Sequence, residues 1–201
     1  MALSQATLPS TVADYLAFER GSDSRHEYLD GHIYAMAGES MEHSTINANL
    51  IVRLGVQLQG RPCQVFSPNM KVRTTPSGLY AYPDVTVVCG DPHLHDEHRD
   101  VLINPTVIIE VLSPSTEAYD RGEKFRRYRQ IDTLSDYLLV AQKQPLIEHY
   151  RRQSDQSWLY TAVSDLEGQV DIASINCSLR LREAYERITF PVATPPPVST
   201  T

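Results

Sequence analysis

The alternation of apolar and polar positions divides the chain into a short helix, a hairpin, a longer helix and a run of short strands. Residues 11–19 (TVADYLAFE) read as a helix capped by Ser10 or Thr11, with Val12, Tyr15, Leu16 and Phe18 as its apolar positions. Residues 25–37 read as two short strands around Asp30-Gly31, a dipeptide that favours a tight hairpin turn. Ile46, Leu50, Leu54 and Leu58 recur every four residues, which predicts a helix over 41–59, ended by Gly60 and Pro62.

Strand patterns follow. Residues 64–74 form one candidate, bent at Ser67-Pro68, and residues 82–88 a second. Residues 106–112 (TVIIEVL) are almost continuously apolar, as expected for a central strand buried on both faces. Ser113-Pro114-Ser115-Thr116 then makes a turn and cap leading into a helix that reaches about residue 131, and 137–141 is another buried strand. The stretches IEHYRRQ, WLYTAVS, VDIAS and LRLREAY alternate like strands of an antiparallel extension. These elements predict one α/β domain over residues 1–190, a mixed central sheet flanked by helices with extra antiparallel strands. A Pro/Thr-rich flexible tail is expected over 191–201.

With 201 residues, 41% of them hydrophobic, the chain can bury a sizeable core. Its formal net charge of −7 excludes a generic basic protein that coats nucleic acid. An enzyme that meets a phosphate backbone through one cationic patch and a metal stays open. No apolar run approaches the roughly 18 residues of a membrane helix, so no membrane partner is expected. The first residues have neither a basic flank nor a long apolar stretch, which speaks against a signal peptide. Cys63, Cys89 and Cys177 are few, odd in number and form no C-x-x-C pair, so they read as reduced thiols in the cytoplasm. His93, His95 and His98 lack a fourth ligand and read as a solvated loop. Ser113 has no G-x-S-x-G setting, and neither a phosphate-binding Gly loop nor a dinucleotide fingerprint is present.

The informative residues are carboxylates. Asp84 follows Pro83 at the start of one strand, and Glu110 lies near the end of the next. Antiparallel pairing of those strands would make the two acids neighbours. A Glu within Ile-Ile-Glu-Val-Leu loses several kcal/mol of solvation unless something neutralises it. A divalent cation bound by both acids would do so, and oxygen ligands favour magnesium or manganese; the alternative is a strand-end Glu that reaches water or an Arg. On the following helix Asp120, Lys124 and Tyr128 fall at i, i+4 and i+8, beside Phe125. Lys124 thus sits near an apolar stripe, from which its ammonium can reach the two acids or simply pair with Asp120 at the surface. Lys71 is the competing lysine. The basic run Arg121, Lys124, Arg126, Arg127 and Arg129 is either a solvated helix face or, lying beside the metal, the charge that a scissile backbone needs for neutralisation.

Pro83-Asp84, Glu110-Val111 at the end of an apolar strand, and Ser-Pro-Ser-Thr before a helix carrying Asp120 and Lys124 together resemble the PD-(D/E)XK nuclease superfamily. More narrowly they resemble the Uma-two family, described as restriction endonucleases, and the likeness extends from the N-terminal helix to Tyr137-Leu-Leu-Val140. The general motif places Lys two residues after the second acid, where this chain has Leu112; in the resembled family that lysine has moved to the next helix, which fits Lys124. The resemblance implies a restriction-endonuclease-like fold, with Asp84, Glu110 and the Val111 carbonyl as metal ligands. It makes Lys124 the catalytic lysine and Glu27 a further catalytic acid near the metal. His43, on the Ile46/Leu50 face at a helix start, would bond a substrate phosphate or satisfy a core partner, with Arg121 and Arg127 as further substrate contacts. The implied function is magnesium- or manganese-dependent hydrolysis of DNA phosphodiesters by a cytoplasmic homodimer. A non-cleaving nucleic-acid-binding protein and a hydrolase of a smaller phosphate ester are the alternatives.

Overall fold

In the computed structural model, which describes residues 11–190, helix α1 (Val12–Arg20) begins at a reciprocal capping box. The Thr11 hydroxyl accepts the Asp14 amide while the Asp14 carboxylate accepts the Thr11 amide. Tyr15 and Leu16 turn inward as expected, but Phe18 is 41% exposed and Glu19 is buried in its place. The reason is polar: the Glu19 carboxylate accepts hydrogen bonds from the His26 amide and the Tyr82 hydroxyl. Strands β1 (His26–Leu29) and β2 (His32–Ala35) form the expected hairpin, with positive φ at both Asp30 (47°) and Gly31 (91°). Helix α2 (Met41–Leu58) starts where Ser40 accepts the His43 amide, and buries Ile46, Leu50, Leu54 and Leu58.

The expected strand 64–74 divides at its bend into β3 (Cys63–Phe66) and β4 (Lys71–Arg73), which enter different sheets. Then come β5 (Tyr80–Ala81), β6 (Val85–Cys89), β7 (Val101–Leu102) and β8 (Val107–Leu112). The helix after β8 consists of α3 (Glu117–Tyr119), a π turn (Asp120–Lys124) and α4 (Phe125–Tyr128). Strands β9 (Asp136–Ala141), β10 (Ile147–Arg152) and β11 (Trp158–Val163) follow, and β12 (Gln169–Ile172) pairs with β13 (Cys177–Arg180). The stretch LRLREAY is only partly strand; from Leu181 it turns into the short helix α5 (Leu181–Ala184).

The main sheet has the order β11-β10-β9-β8-β6-β3, with β8 and β9 parallel and the other neighbours antiparallel. The N-terminal hairpin does not extend this sheet. It belongs to a second one, β2-β1-β5-β4-β7, because alternation identifies a buried face but not the strand it will pair with. Strand β8 is buried throughout: Val107, Ile109 and Val111 meet α2, while Ile108 and Leu112 meet Tyr128 on the opposite face. Tyr15, Tyr28, Ile33 and Tyr80 form a third cluster beneath the second sheet. Among the described residues no helix is long and apolar enough to cross a membrane. The tail 191–201 and Ser10 lie outside the described residues.

The cysteines depart from expectation. The β3–β6 register sets Cys63 directly opposite Cys89, with Cα atoms 4.0 Å apart, and the two are joined by a disulfide. Only Cys177 is a free thiol, and it is buried. Partners 26 positions apart leave no local spacing signal, so the sequence reading missed the pair, and the reducing compartment inferred from three thiols loses its support. Replacing both Cys63 and Cys89 by Ser should cost about 3 kcal/mol in urea unfolding, from loop-closure entropy. The parent should lose a similar amount in strong reductant; a parent indifferent to reductant would show that the bridge does not stabilise the fold.

Candidate active site

Strand register positions the first two acids. Val85 pairs with Ile109 between antiparallel β6 and β8, so one further step places Asp84 across from Glu110. Period-2 alternation puts Glu110 on the Ile108/Leu112 face, beneath the helix that follows. There the π turn carries Asp120 and Lys124 inward, leaving them only 2% and 6% exposed. Tyr137 of β9 donates to the Asp120 carbonyl (2.9 Å), and its ring stacks on Phe125 at 5.3 Å, which pins the turn to the sheet. Glu27 arrives from β1 of the second sheet.

The Lys124 ammonium lies 3.1 Å from Glu27 Oε1, 3.2 Å from Glu110 Oε1 and 3.4 Å from Asp120 Oδ1. Tyr128 donates its hydroxyl to the same Glu110 oxygen at 3.0 Å. Glu27 Oε1 and Asp120 Oδ1 have these ion contacts but no hydrogen bond. Asp84 is held separately: Oδ2 accepts the Val111 amide and Oδ1 meets His43 Nε2, each at 2.7 Å. The other imidazole nitrogen meets the Gln142 amide at 3.1 Å, and Ser40 Oγ donates to Gln142 Oε1. The Ser40 bond orients the amide so that its nitrogen donates to His43 Nδ1. His43 Nε2 is then the protonated nitrogen and donates to Asp84.

These groups line one cleft of about 370 Å³, with Arg25, Tyr82 and Tyr119 also on its walls. Burial pushes the Glu110 carboxyl well above the usual range, and the neighbouring acids add to this against the opposing pull of Lys124. Glu27 is raised for the same first reason. Burial alone would lower Lys124, but Glu110, Glu27 and Asp120 reverse that and hold it well above an ordinary lysine. For His43, too, the Asp84 bond outweighs the lowering effect of burial, and its pKa is raised.

The donor set suits a hard cation. Four buried carboxylates, Glu27, Asp84, Glu110 and Asp120, face one buried ammonium and one imidazole, leaving negative charge that a divalent ion would compensate. Glu39, which the sequence reading did not single out, adds an oxygen: one atom each from Glu39, His43 and Asp84 lie within 4.8 Å of one another. Asp84 is common to this triad and to the Asp84/Glu110/Val111 set.

A family model described as "Putative restriction endonuclease", Uma2, matches residues 12–182. The chain belongs to the Uma2 family. Two Synechocystis relatives, both described as uncharacterized proteins, agree with that extent. One (slr1290) is 38% identical over 180 residues, covering 88% of this chain and 92% of its own length. The other (sll1609) is 32% identical over 163 residues, covering 81% and 92%. A crystal structure from Anabaena variabilis, described as a "putative nuclease belonging to DUF820", superposes with a TM-score of 0.72. It covers 88% of this chain and 97% of its own at 17% identity, which establishes a shared mixed α/β fold of sheets flanked by helices.

In this Uma2 chain the cleft gathers Glu27, His43, Asp84, Glu110, Val111 and Lys124, but not Arg121 or Arg127. Arg121 pairs with Glu117 and Glu148, and Arg127 with Asp30 and Glu123, so both are spent on holding the helix to its surroundings. Lys71 lies in another network, 2.9 Å from Asp100 and 3.2 Å from the Tyr82 hydroxyl. His95 meets Arg73, and His98 is an exposed partner of Asp96. Asp120 had a sequence signal, its i−4 spacing from an inward lysine. Glu39, Tyr119 and Gln142 had none, since only the fold brings them to the cleft.

The raised carboxyls give a signed prediction. Glu27 and Glu110 hold protons more tightly in the fold than in the unfolded chain, where such groups titrate near 4.5. Their contribution is full below that pH and is lost as pH rises through the folded values; His43, raised from 6.5, acts in the same direction. In a chelating buffer, therefore, the urea midpoint should fall from pH 5 to pH 8. Glu27→Gln should reduce that fall and gain on the order of 1 kcal/mol at pH 8. Equal falls in parent and variant would remove Glu27 from the charge excess.

Proposed function

We propose that the cleft hydrolyses phosphodiester bonds in DNA with a divalent cation, magnesium or manganese. The observation that carries this reading is the set of register-matched acids, Asp84 and Glu110, beside a lysine buried among three carboxylates. Asp84 and Glu110, with the Val111 carbonyl, would hold the cation, and Glu39 offers a further oxygen next to Asp84. When bound, the cation polarises a phosphoryl oxygen and eases ionisation of the attacking water.

The chain's own residues do the rest. Lys124 remains protonated, because the surrounding carboxylates raise its pKa; it serves as a fixed positive charge and not as a proton acceptor. Glu27, Asp120 and Tyr128 hold that charge and Glu110 in place. The Val111 amide and the His43 ring fix both oxygens of Asp84, leaving their remaining lone pairs for the cation.

Asp84→Asn should abolish manganese binding by calorimetry while the circular dichroism spectrum is kept. Manganese binding of parental strength in that variant would place the cation elsewhere. Lys124→Ala should retain manganese binding and lose DNA cleavage by about 10² or more. Since this change leaves three carboxylates uncompensated, it should also destabilise the cation-free protein by about 3–5 kcal/mol. Full cleavage by a folded Lys124→Ala protein would withdraw the lysine's assignment, and absence of magnesium- or manganese-dependent cleavage by the parent would withdraw the function.

A further inference from the structure

A restriction-type nuclease that docks on duplex DNA has a recognisable electrostatic footprint, and the charges of this chain can be placed one by one. Residues 1–10 and 191–201 contain no Lys, Arg, Asp or Glu, so all 18 Lys and Arg side chains fall among the described residues. Nine of them sit in ion pairs with carboxylates. Arg61 and Arg152 are engaged by backbone carbonyls, and Arg73 by His95. That leaves Arg99, Arg129, Lys143, Arg151, Arg180 and Arg187.

These six do not form a surface around the cleft. Arg151 lies opposite Asp136 at the start of β9, whereas the cleft is at the other end of that strand, where Gln142 follows Ala141. Arg129 follows α4 and its carbonyl accepts from Arg152, which places it at the same far end. Arg99 is in the loop before β7, and Arg180 and Arg187 flank α5. Lys143, next to Gln142, is the one near the cleft. Within the cleft, cationic charge comes from Lys124 and from Arg25, whose pairing with Glu39 is long at 3.4 Å. Proteins that grip a duplex make about 6–10 phosphate contacts. Here about one to three phosphates can be met.

The cleft itself is narrow and its reactive groups lie deep. At about 370 Å³ it is near the lower end of pockets built for one small ligand, roughly 300–1,000 Å³. Glu110 and Glu27 are each 3% exposed, so a backbone phosphate must be drawn into the cleft to reach them, which a flexible single strand allows and a rigid duplex, with its bases paired and stacked, resists. Apolar residues Ala35, Met36, Ala37 and Pro114 line the approach, a surface that suits an unstacked base. The Tyr119 hydroxyl, also in the lining, is buried and has no hydrogen-bond partner among the described residues, so it is free to donate to a phosphate oxygen.

We infer that the strand this cleft accepts is single-stranded DNA, one nucleotide step at a time, and not intact duplex. The inference rests on the phosphodiesterase reading for its chemistry. Its physical basis is separate: drawing a nucleotide out of a duplex costs a few kcal/mol, which a single strand does not have to meet and which so few cations cannot offset.

Two measurements on the full-length chain test it. By fluorescence anisotropy with calcium as the cation, a labelled 12-nucleotide single strand should bind at least tenfold more tightly than a hairpin duplex containing the same sequence. The slope of log K against log salt for the single strand should lie between about −0.7 and −2, since each neutralised phosphate contributes about −0.7. Equal or tighter duplex binding, a slope steeper than about −4, or binding to neither form would overturn the inference. With manganese, a single-stranded circle should be cut at least tenfold faster than a relaxed, closed duplex circle of the same sequence, and faster cutting of the duplex would overturn it. If neither circle is cut, the phosphodiesterase reading falls, and the calcium experiment still decides which form of strand the cleft accepts.

Discussion

The contacts of Lys124 with Glu27, Glu110 and Asp120 join three parts of the chain at one point. Glu27 belongs to the second sheet, Glu110 to the centre of the main sheet, and Asp120 and Lys124 to the π turn between them. Removing an ion from water costs several kcal/mol, so the Lys124 ammonium cannot be buried without carboxylates beside it. The apolar clusters on both sides of β8 can form only in an arrangement that also brings these charges together. The N-terminal hairpin therefore meets the π turn through the Glu27–Lys124 contact, in addition to the packing of its tyrosines.

The geometry of the helix after β8 follows from the same requirement. A π turn inserts an extra residue at the step where Asp120 and Lys124 must both face inward, and such turns are frequent at functional sites. Tyr128 and Tyr137 support the turn from below, one bonding to Glu110 and the other to the Asp120 carbonyl. Outward-facing arginines hold the same helix sideways: Arg121 to Glu148 of β10, and Arg127 to Asp30 in the hairpin turn. Half-exposed pairs of this kind contribute little stability individually, about 0–1 kcal/mol, but they locate the helix relative to both sheets.

Charge is thus organised on two scales. Locally, carboxylates outnumber cations in a buried cleft, which is the condition for attracting a divalent ion. Over the whole surface most arginines are committed to neighbouring acids or carbonyls, so the net charge of −7 is not offset by a basic face. On the proposed phosphodiesterase reading, a chain built this way would rely on the cleft, and much less on long-range attraction, to engage a phosphate backbone.

Much of the local structure was legible in the sequence. The Asp30-Gly31 turn, the Ile46–Leu58 stripe and the buried strand around Glu110 all follow from neighbours in the chain, because turn conformation and burial period are local properties. Asp84 and Glu110 could be matched since antiparallel pairing makes a strand start meet a strand end. Lys124 could be placed because a helix repeats its face every three to four residues. The arginines of that helix were misread: pattern shows that a residue is charged and outward, but not that Glu148 and Asp30 wait beside it. Likewise Cys63 and Cys89, Glu39 and Gln142 acquired their partners only through tertiary structure. Which strand pairs with which, and which loop closes over a strand end, depends on contacts distant in sequence, and no local periodicity encodes them.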